Sequence, residues 1–248
     1  MDIKESKSQI FKMPTLEELF RAGAHFGHSK QKAHTKANKF VWGVQKGVNI
    51  INLEKTQKYL KKALEYIQVQ IDTGNNFLIV ATKKHFSSAV ADFAKNMNMP
   101  FVNHKWLGGT LTNFDTIKKS IKKFVNLEKT RESEKFQSLS KKERAKFEKD
   151  LAKMRRNFDG IRNLNSLPQN LFVIDAREEQ TALKEAKMLG IPVIAITDTN
   201  YNPEKIDFPI PANDDVLASV QIILDAIKEN IKDKKQDDAS KSKTDSKN

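Results

Sequence analysis

The chain has no cysteine among its 248 residues, which excludes disulfides and thiolate metal sites. Its nine glycines never fall into G-x-G-x-x-G or G-x-x-x-x-G-K-[ST], the signatures of dinucleotide and P-loop nucleotide cradles. No G-x-S-x-G occurs, so a nucleophile elbow has no motif-level support. No apolar run approaches the ~18 residues of a membrane helix. Met1 to Ser8 is too polar for a signal-peptide core, and the expectation is a soluble, cytoplasmic protein with no membrane partner.

Lysine is abundant instead. The formal net charge is +13, from 44 basic and 31 acidic residues. It is unevenly spread: residues 115–159 carry fifteen basic and eight acidic side chains, whereas residues 160–230 carry six and eleven. A surplus confined to the first two-thirds of the chain points to a polyanionic partner on one side of the protein.

Short apolar runs alternate with helical periodicity. Thr15 and Glu18 form a capping-box signature before an apolar stripe of Leu16, Leu19 and Phe20. Residues 25–36 read as a basic surface loop, followed by strand-like runs at 40–44 and 48–52. Leu53 to Ile71 is a helix, and Phe77 to Ala81 a strand covered on both faces. Further strands are expected at 101–102, 171–174 and 193–196. The proline-rich 208–211 suits a sheet edge, and Asn213 or Asp214 is expected to cap the last helix. This alternation predicts one α/β domain with a doubly wound, mostly parallel sheet of about five strands. Between its halves, Ile117, Ile121 and Phe124, and later Phe147, Leu151, Met154, Phe158 and Ile161, recur at three- and four-residue steps. That narrow seam predicts an inserted antiparallel coiled-coil hairpin. The expected division is a polar extension (1–13), α/β domain (14–112 and 161–231), hairpin (113–160) and tail (232–248).

Asp175 and Asp198 end two strands, Asp207, Asp214 and Asp215 lie later, and the set reads either as helix and turn caps or as a Mg²⁺ site. His25, His28 and His34 lack the fourth ligand of a structural zinc site, and RNA contact or packing is the competing role. Neither feature carries a catalytic set, and no metal or cofactor is expected. The nucleic-acid reading has more parts. Lys30, Lys32 and Lys36 lie in the basic loop, and Lys83 and Lys84 lie where a strand gives way to a helix N-terminus. His104 and Lys105 flank Trp106, which either stacks on a base or anchors the hairpin, while Lys118 and Lys122 lie on the hairpin. Gly108 and Gly109 read as its hinge.

Ala22 to His28 (AGAHFGH), Ile50 to Thr56 (IINLEKT) and above all Phe101 to Asn113 (FVNHKWLGGTLTN) resemble the bacterial small-subunit ribosomal protein S2 family, as do Leu171 to Asp175, Leu189 to Val193 and Ile210 to Asp215. The resemblance implies a flavodoxin-like domain with an inserted hairpin. It implies a non-enzymatic constituent of the small ribosomal subunit, without a small-molecule substrate. Such a constituent supports translation and contacts small-subunit rRNA and neighbouring proteins, including the largest one. Under it His25, His28, His104, Lys105 and Asn113 become candidate RNA contacts alongside the lysines. One loop departs: where the family has Trp-Asn-Pro-Lys-Met, this chain reads Ala33-His-Thr-Lys-Ala37.

Overall fold

The computed structural model describes residues 11–231. Most of the expected N-terminal extension and all of the expected tail lie outside the described residues. Helix α1 (Leu16–Arg21) starts with the capping box that the spacing predicts: Thr15 accepts from the Glu18 N–H, and Glu18 accepts from the Thr15 N–H at 2.7 Å. Its expected stripe divides, because Leu19 is buried while Leu16 and Phe20 are 42% and 59% exposed.

Strands β1 (Phe26–Ser29), β2 (Val41–Gln45) and β3 (Val48–Ile51) form a separate antiparallel sheet in the order β1-β3-β2. The basic segment is therefore not all loop: Phe26 pairs with Ile50, and Ser29 with Val48. The sequence Phe-Gly-His-Ser has no apolar alternation to announce a strand; its pairing with β3 is tertiary. The rest of the segment runs through 3-10 turns at Lys30–Lys32 and Thr35–Phe40.

The main domain follows. Helix α2 (Leu53–Asp72) is capped by Asn52 and leads to β4 (Phe77–Val80), α3 (Ser87–Asn96) and β5 (Phe101–Val102). The hairpin consists of α4 (Phe114–Arg131), a turn of helix α5 (Glu134–Gln137) and α6 (Lys141–Phe158). The chain then returns through β6 (Asn170–Ile174), α7 (Gln180–Met188), β7 (Val193–Thr197), β8 (Phe208–Pro211) and α8 (Leu217–Asn230). Strands β4 to β8 form one parallel sheet in the order β5-β4-β6-β7-β8, with every pairing parallel. Counting from β4, this is the 2-1-3-4-5 order of flavodoxin-like folds, and the winding reverses between β4 and β6. Pro209 and Pro211 are accommodated because β8 is an edge strand, paired with β7 alone.

Strand residues alternate between two apolar layers, as the period of two requires. Phe77, Ile79, Phe172, Ile174, Ile194 and Ile196 pack with Leu60, Val90, Ile223 and Leu224 of α2, α3 and α8. Leu78, Val80, Leu171, Val173 and Ala195 pack with Ala182 and Ala186 of α7 and with the base of the hairpin. Ile117, Ile121 and Phe124 of α4 and Leu151 and Phe158 of α6 are buried along the predicted seam. Because this seam is continuous with the second layer, the hairpin is rooted in the domain core. It returns against β5 at Gly160, where a β-carbon would lie 2.2 Å from the Phe101 carbonyl oxygen, so a larger residue does not fit.

Candidate nucleic-acid interface and carboxylate centre

Beyond the carboxyl ends of the strands, at the point where the winding reverses, the connections bring together a dense set of charges. The His28 imidazole of β1 meets Asp198 through Nδ1 at 2.8 Å and Asp215 through Nε2 at 3.3 Å. Lys83, which follows β4, bridges Asp175 after β6 and Asp215 after β8, the latter at 2.5 Å. Asp175, at φ +68°, also caps the next turn, accepting from the N–H groups of Arg177 and Glu178 at 2.9 and 3.0 Å. Asp214 is fully buried; one oxygen accepts from the Asp198 N–H at 3.1 Å and the other has no partner among the described residues.

Burial and the neighbouring carboxylates set the protonation of this centre. Asp214 titrates well above the ordinary carboxylate range, first because it is buried and then because Asp175 and Asp198 repel its charge. Glu179 is pushed up to about 7, mainly by burial, with the charge of Asp175 adding to it and hydrogen bonds from Thr82 opposing it. Burial pulls Lys83 down, but its hydrogen bonds to Asp175 and Asp215 outweigh this and hold the ammonium protonated beyond its usual range. The His28 pKa rises chiefly through its hydrogen bond to Asp198, against the effect of burial.

Ligand atoms of His28, Asp198, Asp214 and Asp215 all lie within 4.8 Å of one another, so one imidazole and three carboxylates could hold a divalent cation there. The expected alternatives are thus combined: Asp175 caps a turn, while Asp198, Asp214 and Asp215 converge. Asp207 stays apart and accepts from the Val193 N–H at 2.9 Å. Asn213, not Asp214, shapes the entry to α8: its side chain accepts from Asp215 and Val216, and α8 begins at Leu217. The three histidines do not assemble. His25 is buried, with its ring stacked on Phe20 at 4.2 Å and tilted against Phe26. The His34 backbone N–H donates to the Thr199 carbonyl at 2.8 Å, and its ring accepts from the Lys36 N–H.

The junction between β5 and the hairpin is organised by one carboxylate. Glu185 is nearly buried on α7, and its Oε1 accepts from Trp106 Nε1 at 3.0 Å and from the Gly109 N–H at 2.9 Å. Its Oε2 accepts from the N–H groups of Leu111 and Thr112 and from the Thr112 hydroxyl, at 2.9, 3.1 and 3.1 Å. Burial raises the Glu185 pKa, but the donors from Trp106 and the loop backbone more than offset it and leave the carboxyl below its ordinary range. Trp106 is therefore an anchor, 8% exposed and hydrogen-bonded inside the second core layer. Of the two expected hinge glycines, Gly109 sits at φ +87° and needs its missing β-carbon, whereas a β-carbon at Gly108 meets nothing within 4 Å.

The candidate cations divide by partner. Lys83 and His28 are committed to carboxylates, Lys36 pairs with Glu204 at 3.3 Å, and Lys118 donates to the Asn165 carbonyl at 2.8 Å. Lys30, Lys32, Lys84, Lys105 and Lys122 are exposed and have no ion pair among the described residues. His104 is exposed with them, its pKa lowered by partial burial and by the charge of Arg156. Asn113 is exposed at the start of α4 without a side-chain cap. Lys119 and Lys123 extend Lys122 along one face of α4, forming a shallow groove with Asn126 and Thr130.

An order of 2-1-3-4-5 with a helical insertion rooted at Phe101–Asn113 is a specific combination. The ribosomal protein S2 family model matches residues 19–233. The chain belongs to the ribosomal protein S2 family. The small ribosomal subunit protein uS2 of Campylobacter hominis is 42% identical over 223 residues, covering 90% of this chain and 84% of the relative. Those of Endomicrobium trichonymphae and Borrelia duttonii are each 41% identical, covering 87% and 88% of this chain and 90% and 88% of the relatives.

In this S2 family member the loop Ala33–Ala37 is held by the domain itself. Ala37 is buried, His34 is tied to Thr199, and Lys36 pairs with Glu204. Two important residues were not singled out from sequence, Glu179 and Glu185. Glu185 did leave a signal, since it falls three residues after Ala182 on the apolar stripe of α7. Glu179 left none.

Proposed function

We propose that the chain is a structural constituent of the small ribosomal subunit that supports translation by binding small-subunit rRNA and neighbouring subunit proteins. The observation that carries this reading is the division of the cations. His28 and Lys83, at the carboxylate centre, are neutralised internally. Lys30, Lys32, Lys84, Lys105, Lys119, Lys122 and Lys123 are left exposed and without ion pairs among the described residues. Cations without internal partners release counterions when they meet phosphates, which makes binding salt-dependent. The RNA surface is assigned to them, with His104 and Asn113 beside Lys105 and α4. His25, His28 and Lys83 are left out of it because the fold has used them. The chain accordingly resides on the cytoplasmic ribosome. Among the described residues no helix is long and apolar enough to cross a membrane.

The test is sedimentation of the tagged chain with small subunits, followed by titration of small-subunit rRNA at several salt concentrations. Replacing Lys119, Lys122 and Lys123 by alanine should lower the slope of log affinity against log salt by roughly one for each phosphate no longer neutralised. A chain that never travels with the subunit under low-salt lysis overturns the reading.

Contact with protein neighbours, including the largest, is supported by a different surface. Trp42 is 77% exposed, Phe20 59%, Val44 51% and Phe26 49%, clustered on α1 and the three-stranded sheet. Trp42 and Phe20, with Leu16, Ile50 and Leu53, border an apolar cleft, which is the composition of a protein-docking patch rather than of an RNA groove. Trp42→Ala should reduce retention of a protein neighbour while leaving the rRNA affinity within about twofold, the margin expected for an uncharged residue outside the phosphate footprint.

A further inference from the structure

At the opposite end of the sheet from the carboxylate centre, a cleft of about 630 Å³ opens beside the root of the hairpin. It lies where the chain enters β4 and β5 and where α6 returns, and its size is in the range of small-ligand sites. Its composition differs from every other surface of the molecule described above. Four exposed asparagines, Asn76, Asn98, Asn163 and Asn165, line it, and none of their side-chain amides hydrogen-bonds to another described residue, so all four are open to a partner. Asn98 holds a left-handed backbone at φ +51°, which fixes its place at the rim after α3. The half-buried Phe101 contributes to the wall, and Lys95 stands at the edge without an ion pair among the described residues. Arg162, in the same lining, is already held by Glu128 and Asp159 and gives structure rather than free charge.

We propose that this cleft receives one unpaired nucleotide of the small-subunit rRNA, with its base edge on the asparagine amides, its face toward Phe101 and its phosphate beside Lys95. A side-chain amide carries a donor and an acceptor side by side, the pairing that a base edge presents. Bases freed from a helix are the parts of an RNA that proteins bind by combined stacking and edge hydrogen bonds. The backbone groups of a helix or strand are already paired, whereas an unpaired base brings free donors and acceptors at its edge. The proposal rests on the rRNA-binding reading above and adds a base-recognising site to a surface otherwise made of phosphate contacts.

The test uses the full chain and transcribed small-subunit rRNA. Asn163→Ala with Asn165→Ala should weaken binding about tenfold or more, as expected for the removal of hydrogen bonds to a buried base. The salt slope should not change, because no charge is removed. Lys95→Ala should lower the slope by roughly one. RNA carrying 4-thiouridine should crosslink to the segments around Phe101 and Asn163 at one or a few positions. Wild-type affinity in the asparagine double variant, with its circular dichroism unchanged, overturns the nucleotide site but leaves the lysine surface standing. Loss of affinity together with a lower slope in that variant overturns base recognition in favour of plain phosphate contact. Crosslinks from this cleft to a protein in assembled subunits overturn the RNA occupant. Failure of the wild-type chain to bind the rRNA at all strikes at the broader reading instead.

Discussion

Glu179 and Glu185 stand six residues apart on and beside one helix, are nearly equally buried, and titrate in opposite directions. Glu185 faces a loop that turns five donors onto its two oxygens, and it stays ionised. Glu179 faces the switch point of the sheet, where it receives the Thr82 N–H and has Asp175 for a neighbour, and it binds a proton until about pH 7. Burial therefore governs Glu179, where donors are few, and is overridden at Glu185, where five donors converge. The same contrast separates the two working regions. The junction loop is a finished hydrogen-bonded structure that fixes the hairpin, while the carboxylate centre carries more negative charge than its partners neutralise.

The contrast is sharpest at Glu185, and the largest effect is expected there. Glu185→Gln takes away an acceptor that faces donors and puts an amide N–H₂ in its place. The variant should lose about 3–5 kcal/mol, the range for breaking a buried charged hydrogen-bond network. Denaturant melts together with amide exchange at Gly109, Leu111 and Thr112 would show it. A variant as stable as wild type, with those amides still protected, would remove Glu185 from its organising role.

Gly160→Ala comes next. The 2.2 Å approach of its β-carbon to the Phe101 carbonyl oxygen is backbone against backbone, so the hairpin root must shift. A loss of about 2–3 kcal/mol is expected from overpacking. Gly108→Ala, with open space around it, should stay within about 0.5 kcal/mol. Equal costs at the two glycines would show that the hairpin is not rooted at Gly160.

Glu179→Gln should act in the opposite sense to the Glu185 change. With a pKa of about 7 folded and 4.5 unfolded, Glu179 binds more proton in the native state, so its contribution falls as pH rises between those values. At pH 8 the amide avoids a buried charge and should stabilise the protein by on the order of 2 kcal/mol. At pH 4 the gain should vanish. Glu185 has the reverse dependence: its lowered pKa favours folding above the ordinary carboxylate range, and that contribution fades as pH falls through the folded pKa. Melts across pH that moved both variants in the same direction would undo the comparison.

The smallest effect belongs to the surface. Lys36→Ala removes an exposed pair with Glu204 and should cost no more than about 0.5 kcal/mol. The loop at 33–37 should keep its place in that variant through Ala37 and the His34 N–H. A large loss would instead make the ion pair the loop's main tether.

Several features were legible in the residues because they depend on local order. The α/β alternation, the strand at Phe77–Val80, the capping box at Thr15 and the seam from Ile117 to Phe158 follow from periodicity and capping chemistry. The resemblance around Phe101–Asn113 also marked the junction. Strand β1 was not legible, because Phe26–Ser29 has no alternation and exists by pairing with β3. The sorting of the lysines was not legible either. Lys83 and Lys122 look alike in sequence, but one is clasped by Asp175 and Asp215, more than ninety residues away, and the other is exposed and has no ion pair among the described residues. Sequence alone determined the helices, the strands of the parallel sheet and the family, since these rest on interactions between near neighbours and on ordered motifs. Tertiary structure decided which charges remain available to a partner, because only the folded chain brings each cation to a carboxylate or leaves it in water.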